Sequence, residues 1–110
     1  MWASLEEVQQ KHPEVNANGF VTNEAHSPVN EKQFALAQQW LFERTTQQVR
    51  YNNKRTSYGL KHDAERWHVA NGTGLYLSNG AFISAAISMG YKVRRISDTP
   101  NAVLNIRVDK

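Results

Sequence analysis

The chain has 110 residues, of which 40% are hydrophobic, 10% aromatic and 21% charged, the size and composition of one globular domain and too apolar for disorder over most of its length. Lys and Arg number 13 against 10 Asp and Glu, a formal charge of +3, which permits a polyanionic partner without requiring one. Cysteine is absent, which excludes a disulfide framework, thiolate zinc sites and a cysteine nucleophile and fits a reducing compartment.

No apolar run approaches the roughly 20 residues of a membrane span. The acidic start Trp2-Ala3-Ser4-Leu5-Glu6-Glu7 lacks the character of a signal peptide, so the expected location is the cytoplasm. Charge is uneven: residues 1–50 carry 4 basic and 6 acidic side chains, residues 51–110 carry 9 and 4. A polyanion would therefore meet the second half.

Ser4 to His12 suits a short helix, with Leu5 and Val8 three apart and Pro13 as its stop. The turn formers between Asn16 and Ser27 read as a looped connection that tucks in Phe20 and Val21. Residues 1–29 are thus expected to be a loosely structured segment of a single domain spanning residues 1–110. A second helix is predicted over about 31–49, capped by Asn30 with Gln33 as its reciprocal partner, and Phe34, Ala37 and Leu41 form its apolar stripe beside Trp40 and Phe42.

After the basic link Arg50-Tyr51-Asn52-Asn53-Lys54-Arg55, Thr56 or Ser57 can cap a helix over 57–69 that buries Leu60, Ala64 and Trp67. Asn71-Gly72-Thr73-Gly74 breaks it, and Leu75-Tyr76-Leu77 is a short β-like run. Ser78 caps a last helix over 79–89, with Leu77 and Phe82 as a hydrophobic staple and Gly90 as its left-handed end. That helix has almost no polar face, so it should be buried, and its small residues Ala81, Ser84, Ala85, Ala86 and Ser88 allow close backbone approach. The tail reads as a hairpin, Tyr91–Ile96 and Ala102–Val108 around a turn at Ser97–Asn101, with Leu104, Ile106 and Val108 packing and Asn105 and Arg107 wet.

The expected class is α+β: a three-helix core with a C-terminal β-hairpin, in an order compatible with a winged helix-turn-helix. Trp40, Leu41, Leu60, Trp67, Phe82, Ile83, Ile87, Leu104 and Ile106 are the predicted core, with Tyr91 a further core aromatic and Trp2 exposed. The third predicted helix offers Asn79, Ser84 and Ser88 and no charge, which counts against base reading in a major groove.

Arg50, Lys54, Arg55 and Lys61 place four cations in twelve residues without an acid, with Tyr51 and Tyr58 between them. Cations beside aromatics suit phosphates and exposed bases together. Arg94 and Arg95, with Lys92, extend this candidate surface, whose alternative reading is solvated loop and guarded strand edge. The four histidines have no metal-ligand spacing, and His62 beside Asp63 and Glu65 reads as a solvated helix face. No nucleophile, base and orienter come together and no phosphate loop is present, so neither an enzyme nor a cofactor or metal is expected.

Lys54-Arg55-Thr56-Ser57-Tyr58-Gly59-Leu60-Lys61-His62, then Glu65-Arg66-Trp67, Leu75 to Ile83 (Leu-Tyr-Leu-Ser-Asn-Gly-Ala-Phe-Ile), Gly90-Tyr91 and Pro100-Asn101-Ala102 resemble a pattern in small uncharacterised proteins of bacteriophages, prophages and mobile elements. The resemblance covers about half the chain and leaves residues 1–50 outside it. It implies a phage-type setting, in which proteins of this size act by binding, as transcription regulators or as inhibitors of host restriction or CRISPR defence. That group has no assigned activity, so it transfers no site residue. Two partner classes follow: DNA or RNA held by the basic patch, or a host nucleoprotein complex met by an inhibitor or adaptor.

Overall fold

The most apolar segment of the chain is the axis on which the rest packs. The computed structural model describes residues 2–20, 28–73 and 76–109. Among them are helices α1 (Leu5–Lys11), α2 (Glu31–Arg44), α3 (Ser57–Ala70) and α4 (Asn79–Ser88) and strands β1 (Val15–Asn16), β2 (Gly19–Phe20), β3 (Thr45–Gln47), β4 (Val93–Arg95), β5 (Ala102–Leu104) and β6 (Ile106–Val108). The fold is α+β, and its strands pair as separate antiparallel ribbons, β1 with β2, β3 with β6 and β4 with β5.

In α4 every residue is buried except the partly buried Ile87. The other three helices and strands β1, β2 and β4 pack around it. Its ends follow from local chemistry. The Ser78 hydroxyl accepts the Ala81 N–H at 3.1 Å, and the staple residues Leu77 and Phe82 both lie in the main core cluster. At the other end Tyr91 N–H donates to Ala86 O and Gly90 N–H to Ile87 O, while Gly90 takes φ +90°; this paired closure needs a residue without a Cβ at the left-handed position. Such a buried helix has no face to lay in a DNA groove, so the winged helix-turn-helix reading gains no recognition helix from it.

The close backbone approach expected of α4 occurs at Gly80. The β1–β2 hairpin lies across the start of the helix, with Gly80 N–H donating to Ala17 O at 3.0 Å. Within the segment anticipated as loosely structured, the expected helix from Ser4 is present as α1, and the stretch after it holds this hairpin. In α1, Ser4 and Glu7 form a reciprocal capping box, and the Ser4 N–H and hydroxyl hold the Glu7 carboxyl below its ordinary value. Leu5, Val8, Val15 and Phe20 are buried; Val21 lies outside the described residues.

Two boundaries differ from the sequence reading. The second helix stops at Arg44, not near Val49, because the β-branched pair Thr45-Thr46 takes extended backbone and pairs with Val108 and Arg107. The Thr45 hydroxyl satisfies the helix end by donating to Leu41 O at 2.7 Å and meets the Tyr91 hydroxyl at 2.5 Å. The C-terminal hairpin is real between β4 and β5, but its second arm breaks at Asn105, and Ile106–Val108 leaves to pair with β3. Asn105, expected to be wet, is 3% exposed. Tyr76 and Leu77 are not in a strand, and Leu75 lies outside the described residues.

Seven of the nine predicted core residues are buried, while Trp67 and Ile87 are partly so. No helix among the described residues is long and apolar enough to cross a membrane.

Candidate nucleic-acid interface

The basic link is not a free loop. Gln48 and Asn105 bond each other twice, Gln48 N–H to Asn105 O and Asn105 Nδ2 to Gln48 O, both at 2.9 Å. Asn52 continues the docking through its N–H to Leu104 O at 2.7 Å and its Nδ2 to Ile106 O at 3.2 Å. Its Oδ1 accepts the Lys54 N–H at 3.1 Å, an Asx turn that tightens the tip. Short amides thus peg the link along β5 and β6, and Arg50, Asn53 and Lys54 are left exposed.

Arg94 joins this link to the hairpin. Its guanidinium lies 4.5 Å from the centroid of the Tyr51 ring, and Nη2 donates to Asn53 Oδ1 at 3.3 Å. Delocalised charge over an aromatic face is favourable and fixes both groups. The result is a platform of Arg50, Tyr51, Lys54 and Arg94, with exposed Lys92 two residues before Arg94. Among the described residues none of these four cations forms an ion pair.

The other three predicted site residues are engaged inside the fold. Arg55 bonds Asp63 Oδ2 and reaches Gly59 O at 3.5 Å, and Arg66 takes the second carboxylate oxygen of Asp63. Arg95 donates from Nε to Thr99 O at 2.8 Å and from Nη2 to Phe20 O at 3.4 Å, tying the hairpin turn to the N-terminal strands. Lys61, anticipated as a phosphate contact, is 2% exposed. Its place on α3 falls on the buried face with Leu60, Ala64 and His68. There its ammonium bonds Glu65 Oε2 at 3.3 Å and lies 5.1 and 4.4 Å from the ring centroids of Tyr58 and Tyr76.

Glu65, read from the sequence as part of a solvated helix face, is instead mostly buried and bonded on both oxygens. Besides Lys61, it accepts the Leu77 N–H on Oε2 and meets His62 Nδ1 on Oε1, each at 2.9 Å. Spacings of three and four on one helix were the available signal; the link to Leu77 had none. The His62 ring stands edge-on to Tyr58, centroids 4.6 Å apart. Beside it lies a cleft of about 440 Å³ lined by His62, Glu65, Arg66, Val69 and Ala70. His68 is different: it is buried and its Nε2 donates to Leu36 O at 2.8 Å, a structural bond between α3 and α2.

Comparison of the chain with protein-family models, with curated proteins and with solved structures finds no match.

Proposed function

We propose that this protein binds nucleic acid through phosphate contacts made by Arg50, Lys54 and Arg94 around Tyr51, with Lys92 at the margin, in a regulatory role suited to a phage or mobile element. The observation that carries the reading is the Arg94–Tyr51 contact at 4.5 Å, which docks the strand that carries Arg94 against the link that carries Arg50 and Lys54. Their guanidinium and ammonium groups are free of carboxylates within the described residues, so phosphate meets no competing acid there. Arg55, Lys61 and Arg95 support the platform and its neighbours and do not belong to the contact set.

Fluorescence anisotropy with labelled single-stranded and duplex DNA over a salt series tests this. Affinity should fall steeply with salt, and Arg50→Ala, Lys54→Ala and Arg94→Ala should each lower the slope of log K against log salt by about 0.7 to 0.9. No affinity at low salt for either form would remove the reading and leave the platform to a protein partner, as in an inhibitor of a host complex.

A further inference from the structure

We propose that the cleft beside α3 receives an unpaired nucleobase, so that the partner of the platform is single-stranded nucleic acid and not duplex. The backbone contacts rest on the reading above; the cleft supplies what holds a base.

Tyr58, His62, Arg66 and Val69 recur at i, i+4, i+8 and i+11, which sets them on one side of α3 over roughly 16 Å. This stripe begins four residues after Lys54, where the platform ends. Its aromatic edge is open: Tyr58 is 51% and Tyr76 62% exposed. Both rings are held from within by one ammonium, that of Lys61, which Glu65 fixes in turn. The rings are thereby ordered before any ligand arrives, which lowers the entropy cost of stacking on them.

Beside the rings, the open cleft is lined by apolar Val69 and Ala70 and by three polar groups, His62, Glu65 and Arg66. About 440 Å³ is within the range of small-ligand sites. A carboxylate only accepts, so the His62 proton shared with Glu65 sits on Nδ1. The other ring nitrogen, Nε2, is left to face a base as a second polar edge. The Arg66 guanidinium spends one arm on Asp63 and keeps further donors for a phosphate. The two acids of this region do not repel such a ligand, because Asp63 is bonded by Arg55 and Arg66, and Glu65 by Lys61 and His62.

Ring faces and these hydrogen-bonding edges are available only in unpaired bases, since a duplex stacks the faces and pairs the edges. Phosphates on the platform and a base on the stripe therefore select a single strand.

The test compares an oligothymidylate of about 20 nucleotides with a duplex of equal length. Tyr76→Leu alters an exposed residue outside any helix or strand, and His62→Ala removes a lining residue of the cleft while leaving both tyrosines in place. Wild type should bind the single strand at least tenfold tighter than the duplex. Each variant should weaken the single strand about tenfold, with duplex affinity and salt slope unchanged. Arg50→Ala should instead weaken both forms and lower the slope. Equal wild-type affinities, or variant losses shared equally by both forms, would overturn the base site while leaving the platform reading intact. Should neither form bind, the platform reading fails. Thymidine monophosphate then probes the cleft alone: NMR shifts confined to residues 58–76 would uphold a base site, and their absence would overturn it.

Discussion

Asn105 and Gln48 exchange two hydrogen bonds of 2.9 Å, one from each residue's nitrogen to the other's backbone carbonyl. Asn105 also accepts the Lys92 N–H on Oδ1 at 2.7 Å and donates its own N–H to Lys92 O at 3.2 Å. One buried amide therefore joins the residue before β4, the β5–β6 junction and the residue after β3, from which the loop that presents Arg50 and Tyr51 departs. Asn105→Ala leaves the Lys92 N–H and the Gln48 carbonyl without these partners and should cost about 2 to 3 kcal/mol. Urea unfolding should show a lower midpoint at unchanged m-value. A variant as stable as wild type would mean that water satisfies these groups and that the junction is not held here.

Three glycines make the same substitution give opposite signs. A Cβ on Gly80 would stand 1.6 Å from the Asn16 carbonyl oxygen and 2.9 Å from the Ala17 carbonyl carbon, both backbone. Gly80→Ala must therefore displace the N-terminal hairpin, at a cost of about 3 kcal/mol or more. A Cβ on Gly90 would meet nothing nearer than Gln47 Nε2 at 3.8 Å, but φ is +90°, so alanine there should cost about 1 kcal/mol. Gly59 lies inside α3 with nothing nearer than 3.9 Å, and Gly59→Ala should stabilise by about 0.5 kcal/mol. Thermal melts of the three variants check the ranking, and a neutral Gly80→Ala would show that the hairpin does not sit on α4.

Lys61 distinguishes charge that serves the fold from charge that serves a partner. Lys61→Ala removes a buried stem worth about 0.8 kcal/mol per methylene and frees a mostly buried Glu65 of its cation. A loss of about 2 kcal/mol or more is expected, with the salt slope of nucleic-acid binding unchanged under folded conditions. A stable protein with a reduced slope would put Lys61 among the phosphate contacts after all.

Burial raises the Tyr91 hydroxyl above its ordinary value near 10, and the charge of Asp109 adds to this while the Thr45 hydrogen bond opposes it. The folded state thus keeps this proton to higher pH than the unfolded chain does. The contribution is complete below about pH 10 and is lost as pH rises from there through the folded value. Tyr91→Phe should flatten this alkaline decline and lose about 1 kcal/mol at neutral pH with the Thr45 bond. Chemical unfolding at a series of alkaline pH values measures both; an equally steep decline in the variant would assign it to other groups.

Helix starts and the core were legible along the chain because their causes are local. Ser4, Asn30, Thr56 and Ser78 each sit where a side-chain oxygen can reach the N–H three residues on, and each does so. Apolar spacing marked Leu41, Leu60 and Phe82, and the run from Ala81 to Met89, apolar except for Ser84 and Ser88, marked α4 as buried. The basic, aromatic composition of residues 50–55 likewise announced a candidate surface. Only tertiary structure decided which cations belong to it. Lys61 and Arg95 were drawn into the fold by partners at Tyr76 and Phe20, and Arg94 was kept at the surface by Tyr51, 43 positions earlier. The same holds for β3, which exists because Thr45 meets Val108, and for Asn105, which is buried because Gln48 lies opposite. Caps and periodicity are set by neighbours within a turn or two of chain, whereas strand pairing and charge burial depend on segments that become neighbours only once the core has closed.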